Sequence, residues 1–151
     1  MVKSSGAALM LLGVAHLIAI GIDALPFAPG WLSLDLWTTG DWLPFMAQPT
    51  DVLASNAAFW ATLGSCAVPS VILGALIMRM VNDGVPVPQF VGWGLFLWLG
   101  VCSLIIEPSG FPLGWIISLA LVLGIHRQRS HVDPLAKRLR TPRRHTAQQN
   151  Q

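Results

Sequence analysis

Charge is the scarcest ingredient of this chain. Asp, Glu, Lys and Arg together make up 11% of it, where soluble domains carry roughly a quarter. That is too few charges to cover a surface facing water on all sides. Intrinsic disorder is excluded too, because 54% of the residues are hydrophobic and a disordered chain is polar. Cysteine is nearly as scarce. Cys66 and Cys102 form no disulfide framework and have no metal-ligand spacing. Tyrosine is absent while tryptophan occurs seven times, so every large aromatic with a polar tip is an indole.

Long apolar runs fill the space that charge leaves. About 20 apolar residues in a helix cross roughly 30 Å of hydrocarbon, and four stretches qualify, at about 6–27, 57–79, 89–107 and 110–126. Only His16 and Asp23 interrupt the first. The second is uncharged until Arg79, and the third until Glu107. The fourth is short for a span, with Trp115 and Arg127 available as interface anchors. Lys3 and the small residues Ala19-Ile20-Gly21 are features of a signal peptide, but the apolar run continues to Phe27, so a retained helix is expected.

The connections fit this spacing. Pro26, Pro29, Pro44 and Pro49 punctuate a long outer loop at 28–56. Asn82-Asp83-Gly84 with Pro86 and Pro88 reads as a tight turn, and Pro108-Ser109-Gly110 as another. The expected fold is all-α: a transmembrane up-down four-helix bundle over residues 1–127, followed by a basic, partly disordered cytoplasmic tail at 128–151.

Orientation follows from where the basic residues fall. With the amino terminus inside, Lys3, Arg79 and the seven basic residues from Arg127 to Arg144 all lie on the cytoplasmic side. The outer loops then hold acids: Asp35, Asp41, Asp51 and Glu107. Both termini are thus expected in the cytoplasm, with the chain crossing the inner (plasma) membrane several times. Lys137, Arg138, Arg140, Arg143 and Arg144 serve first as topology determinants. They also suit contact with anionic lipid headgroups, at about 1 kcal/mol each. No aromatics interleave with them, so nucleic acid is not an expected partner. Trp31, Trp37, Trp42, Trp60 and Trp115 fall at the outer interface as an aromatic belt.

Helices in lipid approach through small residues. Such stripes are Gly6, Gly13, Ala15 and Ala19 in the first run, Ala58, Thr62, Cys66, Ser70 and Gly74 in the second, and Gly110, Gly114 and Ser118 in the fourth. Cys66 and Cys102 read as small packing residues.

His16 is the costliest polar residue, near the centre of the first run. Pro69 lies at similar depth in the second, where a mid-helix proline would free the carbonyl of Ser65. His16 is expected to bond that carbonyl, or the hydroxyl of Ser65, Ser70 or Ser118, as a structural contact between helices. The alternative is a ligand site, in which His16, Asp23, Ser65, Ser70, Ser103 and Glu107 form a polar track toward the outer face. Haem ligation lacks a second mid-membrane histidine, and no metal or cofactor is expected.

The run Ala58-Phe59-Trp60, Gly84-Val85-Pro86 followed by Gly92-Trp93-Gly94, the stretch Glu107-Pro108-Ser109-Gly110-Phe111 and the early Gly13-x-x-His16 resemble an uncharacterised family of small four-helix bacterial membrane proteins. That family is itself distantly similar to DoxX-type proteins. The resemblance covers about residues 6–125 and implies the fold. It assigns no catalytic residue.

Three functional classes follow. The first is a non-catalytic membrane component or accessory subunit, partnered by another membrane protein or by itself. The second is a binder or carrier of a lipophilic small molecule. The third, suggested only by the DoxX-like similarity, is a membrane redox protein.

Overall fold

Proline and glycine decide where the helices begin and end. The computed structural model describes residues 1–39, 43–106 and 109–140, apart from the side chains of Phe45, Arg129 and residues 131–140. Among the described residues every regular element is helical.

Helix α1 runs Val2–Ala24. Pro26 cannot donate to the carbonyl four residues back, so the chain tightens into a 3-10 turn, Leu25–Phe27. It then resumes as α2, Ala28–Leu32, with Pro29 in its first turn, where a missing N–H costs nothing. After a 3-10 turn at Phe45–Ala47 comes α3, Thr50–Ala61. Helix α4, Ala67–Asn82, is closed by Gly84 at φ 70°. The Gly84 N–H bonds the Val81 carbonyl at 3.2 Å and the Val85 N–H bonds that of Met80 at 2.8 Å. This is the paired closure that a left-handed glycine permits. Helix α5, Gln89–Ile105, follows Pro86 and Pro88, and α6 occupies Phe111–Arg140.

Three boundaries differ from the sequence reading. The apolar run at 57–79 is two helices, because α3 stops at Ala61 and α4 starts at Ala67. Part of the segment read as an outer loop, 28–56, is helical, since α2 and the start of α3 lie within it. The helix expected to end near 126 continues to Arg140. Polarity ends a membrane span, but Arg, Gln, Leu, Ala and Lys are all good helix formers, so it does not end the helix.

Helices α1 and α4 pack antiparallel with their backbones in contact. A Cβ on Gly74 would stand 2.6 Å from the Gly6 carbonyl oxygen, and one on Gly13 would stand 2.7 Å from that of Ala67. Helices α5 and α6 pair the same way, with Gly92 against Val122 and Gly100 against Trp115. Helix α6 also meets α1, placing Gly124 on Val2 and Gly114 on Leu12. Lys3, Arg79 and Arg127 therefore come to one end, where the Arg127 guanidinium lies 3.8 Å from the Met1 sulfur. The buried cluster of Val2, Leu9, Ile77, Val87, Leu121 and Ile125 fills that same end.

The outward faces are apolar. Leu11, Ile18, Ile72, Leu97, Leu104 and Ile116 are all more than half exposed. Two helical stretches, Val2–Leu32 and Phe111–Gln128, are long and apolar enough to cross a membrane. Helices α4 and α5 are apolar but shorter.

Candidate functional site

The break between α3 and α4 sets up the site. When a helix stops, its last carbonyls lose their partners and others must be found. The Thr62 hydroxyl donates back to the Ala58 carbonyl at 2.7 Å. The N–H groups of Thr62 and Gly64 both turn to Phe59 O, and that of Ser65 turns to Thr62 O. Ala61 O would have received the Ser65 N–H in a continuous helix. It is reached instead from across the fold, by His16 Nε2 at 3.0 Å.

His16 thus makes a structural bond between the first two apolar runs, but to a different carbonyl from the one expected. Pro69 does not kink a helix, because it is the third residue of α4, where its missing N–H is one of the orphans in any case. Ser65 does not meet His16 either. Its hydroxyl accepts the Ala67 N–H at 3.2 Å and so starts α4. A Cβ at Gly64 would come within 2.7 Å of the Trp60 ring and 2.9 Å of the Phe59 ring, so those rings would have to shift.

Beside this junction lies a cavity of about 460 Å³ that opens to the surroundings. Its walls come from α1, the start of α4, Leu99 of α5 and the turn into α6. The polar side chains lining it are His16, Cys66, Ser70 and Ser109, and the remainder is apolar, including Leu9, Leu12 and Phe111.

Of the candidate site residues singled out from sequence, His16 and Ser70 both line this cavity. Asp23 is exposed and does not line it. Ser103 is buried, with its hydroxyl turned to the Leu99 carbonyl at 2.7 Å. Ser118 is likewise buried and bonds the Trp115 carbonyl at 2.7 Å. Glu107 lies outside the described residues, as do Asp41, Trp42, Arg143 and Arg144. Lys137, Arg138 and Arg140 lie on the last turns of α6. Among the described residues no three His, Cys, Asp or Glu stand together as a metal site.

Sequence reasoning missed the Ala61 carbonyl and the cavity roles of Cys66 and Ser109. The adjacent Gly64-Ser65, a turn signal inside an apolar run, was the available clue. The outer segment also has an anchor. Trp31 Nε1 donates to the Ser55 hydroxyl at 3.0 Å, and its ring meets Phe59 edge-on at 5.8 Å.

Comparison with known proteins returned no match: no family model, no curated protein and no solved structure aligns with this chain.

Proposed function

We propose that this protein crosses a bacterial plasma membrane four times, through α1, the broken pair α3–α4, α5 and α6, and that its cavity holds a lipophilic small molecule. Support for lipid as the solvent comes from the large aliphatic side chains facing outward on every long helix, since soluble monomers rarely expose such continuous apolar surface. Lys3, Arg79 and Arg127 share one end, and the preference of basic residues for the cytoplasm supports an orientation with both termini inside. At 16 residues α4 spans only about 24 Å, so the second crossing needs α3 as well.

One observation carries the binding reading. Non-helical backbone at membrane depth is tolerated where it lines a cavity or is buried in protein, and discontinuous helices in transporters mark binding sites. The break at 62–66 opens directly onto the cavity through Cys66, and a histidine side chain caps its freed carbonyl. A break placed for packing alone would need no cavity beside it.

The test is purification in mild detergent followed by solvent extraction and mass spectrometry. A single dominant lipophile is expected to co-purify and to be lost in Ala19→Trp, which fills the cavity from α1. A stoichiometric partner protein in its place would favour an accessory subunit, and a coloured cofactor would favour the DoxX-like redox reading.

A further inference from the structure

His16 has two ring nitrogens, and the fold uses one. Nε2 lies 3.0 Å from Ala61 O. A carbonyl only accepts, so Nε2 carries the proton, and a neutral imidazole then presents Nδ1 as a bare acceptor. Nδ1 has no partner among the described residues, and the ring lines the cavity.

The other polar groups narrow what this acceptor is for. Ser109 is spent in both directions, donating to Ile106 O at 2.9 Å and accepting the Phe111 N–H at 3.3 Å. Ser70, on the α4 wall, has a hydroxyl with no hydrogen bond among the described residues. The polar atoms free to meet a guest are therefore the His16 Nδ1 acceptor, the Ser70 hydroxyl and the Cys66 thiol, which is only a weak hydrogen-bonding group, and no described lining residue is Asp, Glu, Lys or Arg.

A hydrocarbon or an ester offers nothing to Nδ1. A carboxylate or phosphate would set its own lone pairs against it, and an ammonium would be buried without a counter-charge. A hydroxyl both donates and accepts, so it suits an acceptor such as Nδ1 and a donor such as the Ser70 hydroxyl. We infer that the cavity takes an uncharged lipophile bearing a hydroxyl, which donates to His16 Nδ1 and accepts from the Ser70 hydroxyl. The inference rests on the small-molecule reading above and names the class of molecule.

The test uses the full chain in mild detergent, with native mass spectrometry reading competition between 4-dodecylphenol and its methyl ether. The two share a carbon skeleton, and only the phenol donates. A preference of about tenfold for the phenol is expected, the usual consequence of leaving a buried polar group unpaired. His16→Leu should abolish the preference. His16→Gln should keep it, because an amide offers a donor to Ala61 O and an acceptor to the guest. Ser70→Ala, which touches no helix cap, should reduce it by about two- to fivefold.

Equal, saturable binding of phenol and ether overturns the hydroxyl inference and leaves the cavity reading standing. Binding of neither overturns that reading itself. A phenol preference that survives both His16→Leu and Ser70→Ala overturns the assigned contacts. A diacylglycerol competitor separates the two sources of such a hydroxyl: displacement of the phenol assigns it to a membrane lipid, and no displacement assigns it to a free lipophile.

Discussion

The imidazole of His16 caps the last carbonyl of α3, that of Ala61, from 45 residues away in the sequence. One side chain on α1 thereby holds the end of a helix that would otherwise fray, at the point where the chain turns toward α4.

Replacing His16 by Leu leaves Ala61 O without a partner. The ring is half-buried, so the expected cost is about 1–2 kcal/mol, the range for stranding a partly shielded polar group. Thermal unfolding in detergent measures it. A midpoint equal to that of the native chain would mean that water or lipid serves the carbonyl as well as the histidine does.

The seam between α1 and α4 tolerates no added carbon. Gly74→Ala puts a methyl 2.6 Å from Gly6 O and 2.8 Å from Met10 N, so the helices must separate, at about 1–3 kcal/mol. Gly21→Ala on the same α1 meets nothing within 4 Å and should stabilise by up to about 1 kcal/mol through helix propensity. Opposite signs for the two substitutions, read by the same unfolding assay, are the expected outcome. Equal effects would place the seam elsewhere.

Trp31 ties the outer segment to α3 through Ser55. Trp31→Phe keeps a ring against Phe59 and loses the hydrogen bond, so a cost of about 1 kcal/mol is expected. Ser55→Ala should cost the same, and the double variant no more than either. Full additivity in that cycle would show that the two residues act separately.

The turn between α4 and α5 and the start of α6 were legible in the sequence. Gly84, Pro86, Pro88 and the Ser109-Gly110 pair are local signals, and the chain obeys them at the end of α4 and the starts of α5 and α6. The break at 62–66 was not legible, because hydropathy is blind to it. Thr62, Gly64, Ser65 and Cys66 are small and uncharged, so the apolar run passes through them without interruption. That omission misdirected His16 as well. Counting four residues back from Pro69 finds Ser65 only if the helix is continuous, and the carbonyl actually freed is the one where α3 ends. Which seam glycines face which partners was also hidden. Stripes of small residues mark candidate faces, but only the antiparallel register of α1 on α4 brings Gly6 to Gly74 and Gly13 to Ala67. Ser103 reads as a site residue in the sequence and Ser118 as a possible partner of His16, yet both hydroxyls are absorbed by their own helices.

If the chain crosses a membrane as proposed, the α3–α4 break lies at membrane depth with lipid on its outer side. Leu63, in the break and 58% exposed, reports on this directly. A nitroxide at Leu63→Cys, with Cys66 and Cys102 replaced by Ser and the protein reconstituted in bilayers, samples its surroundings through collisions with oxygen and with a water-soluble nickel chelate. High oxygen and low nickel accessibility are expected. Accessibility to nickel matching that of a label on the highly exposed Trp37 would put the break in water and contradict a membrane-embedded break.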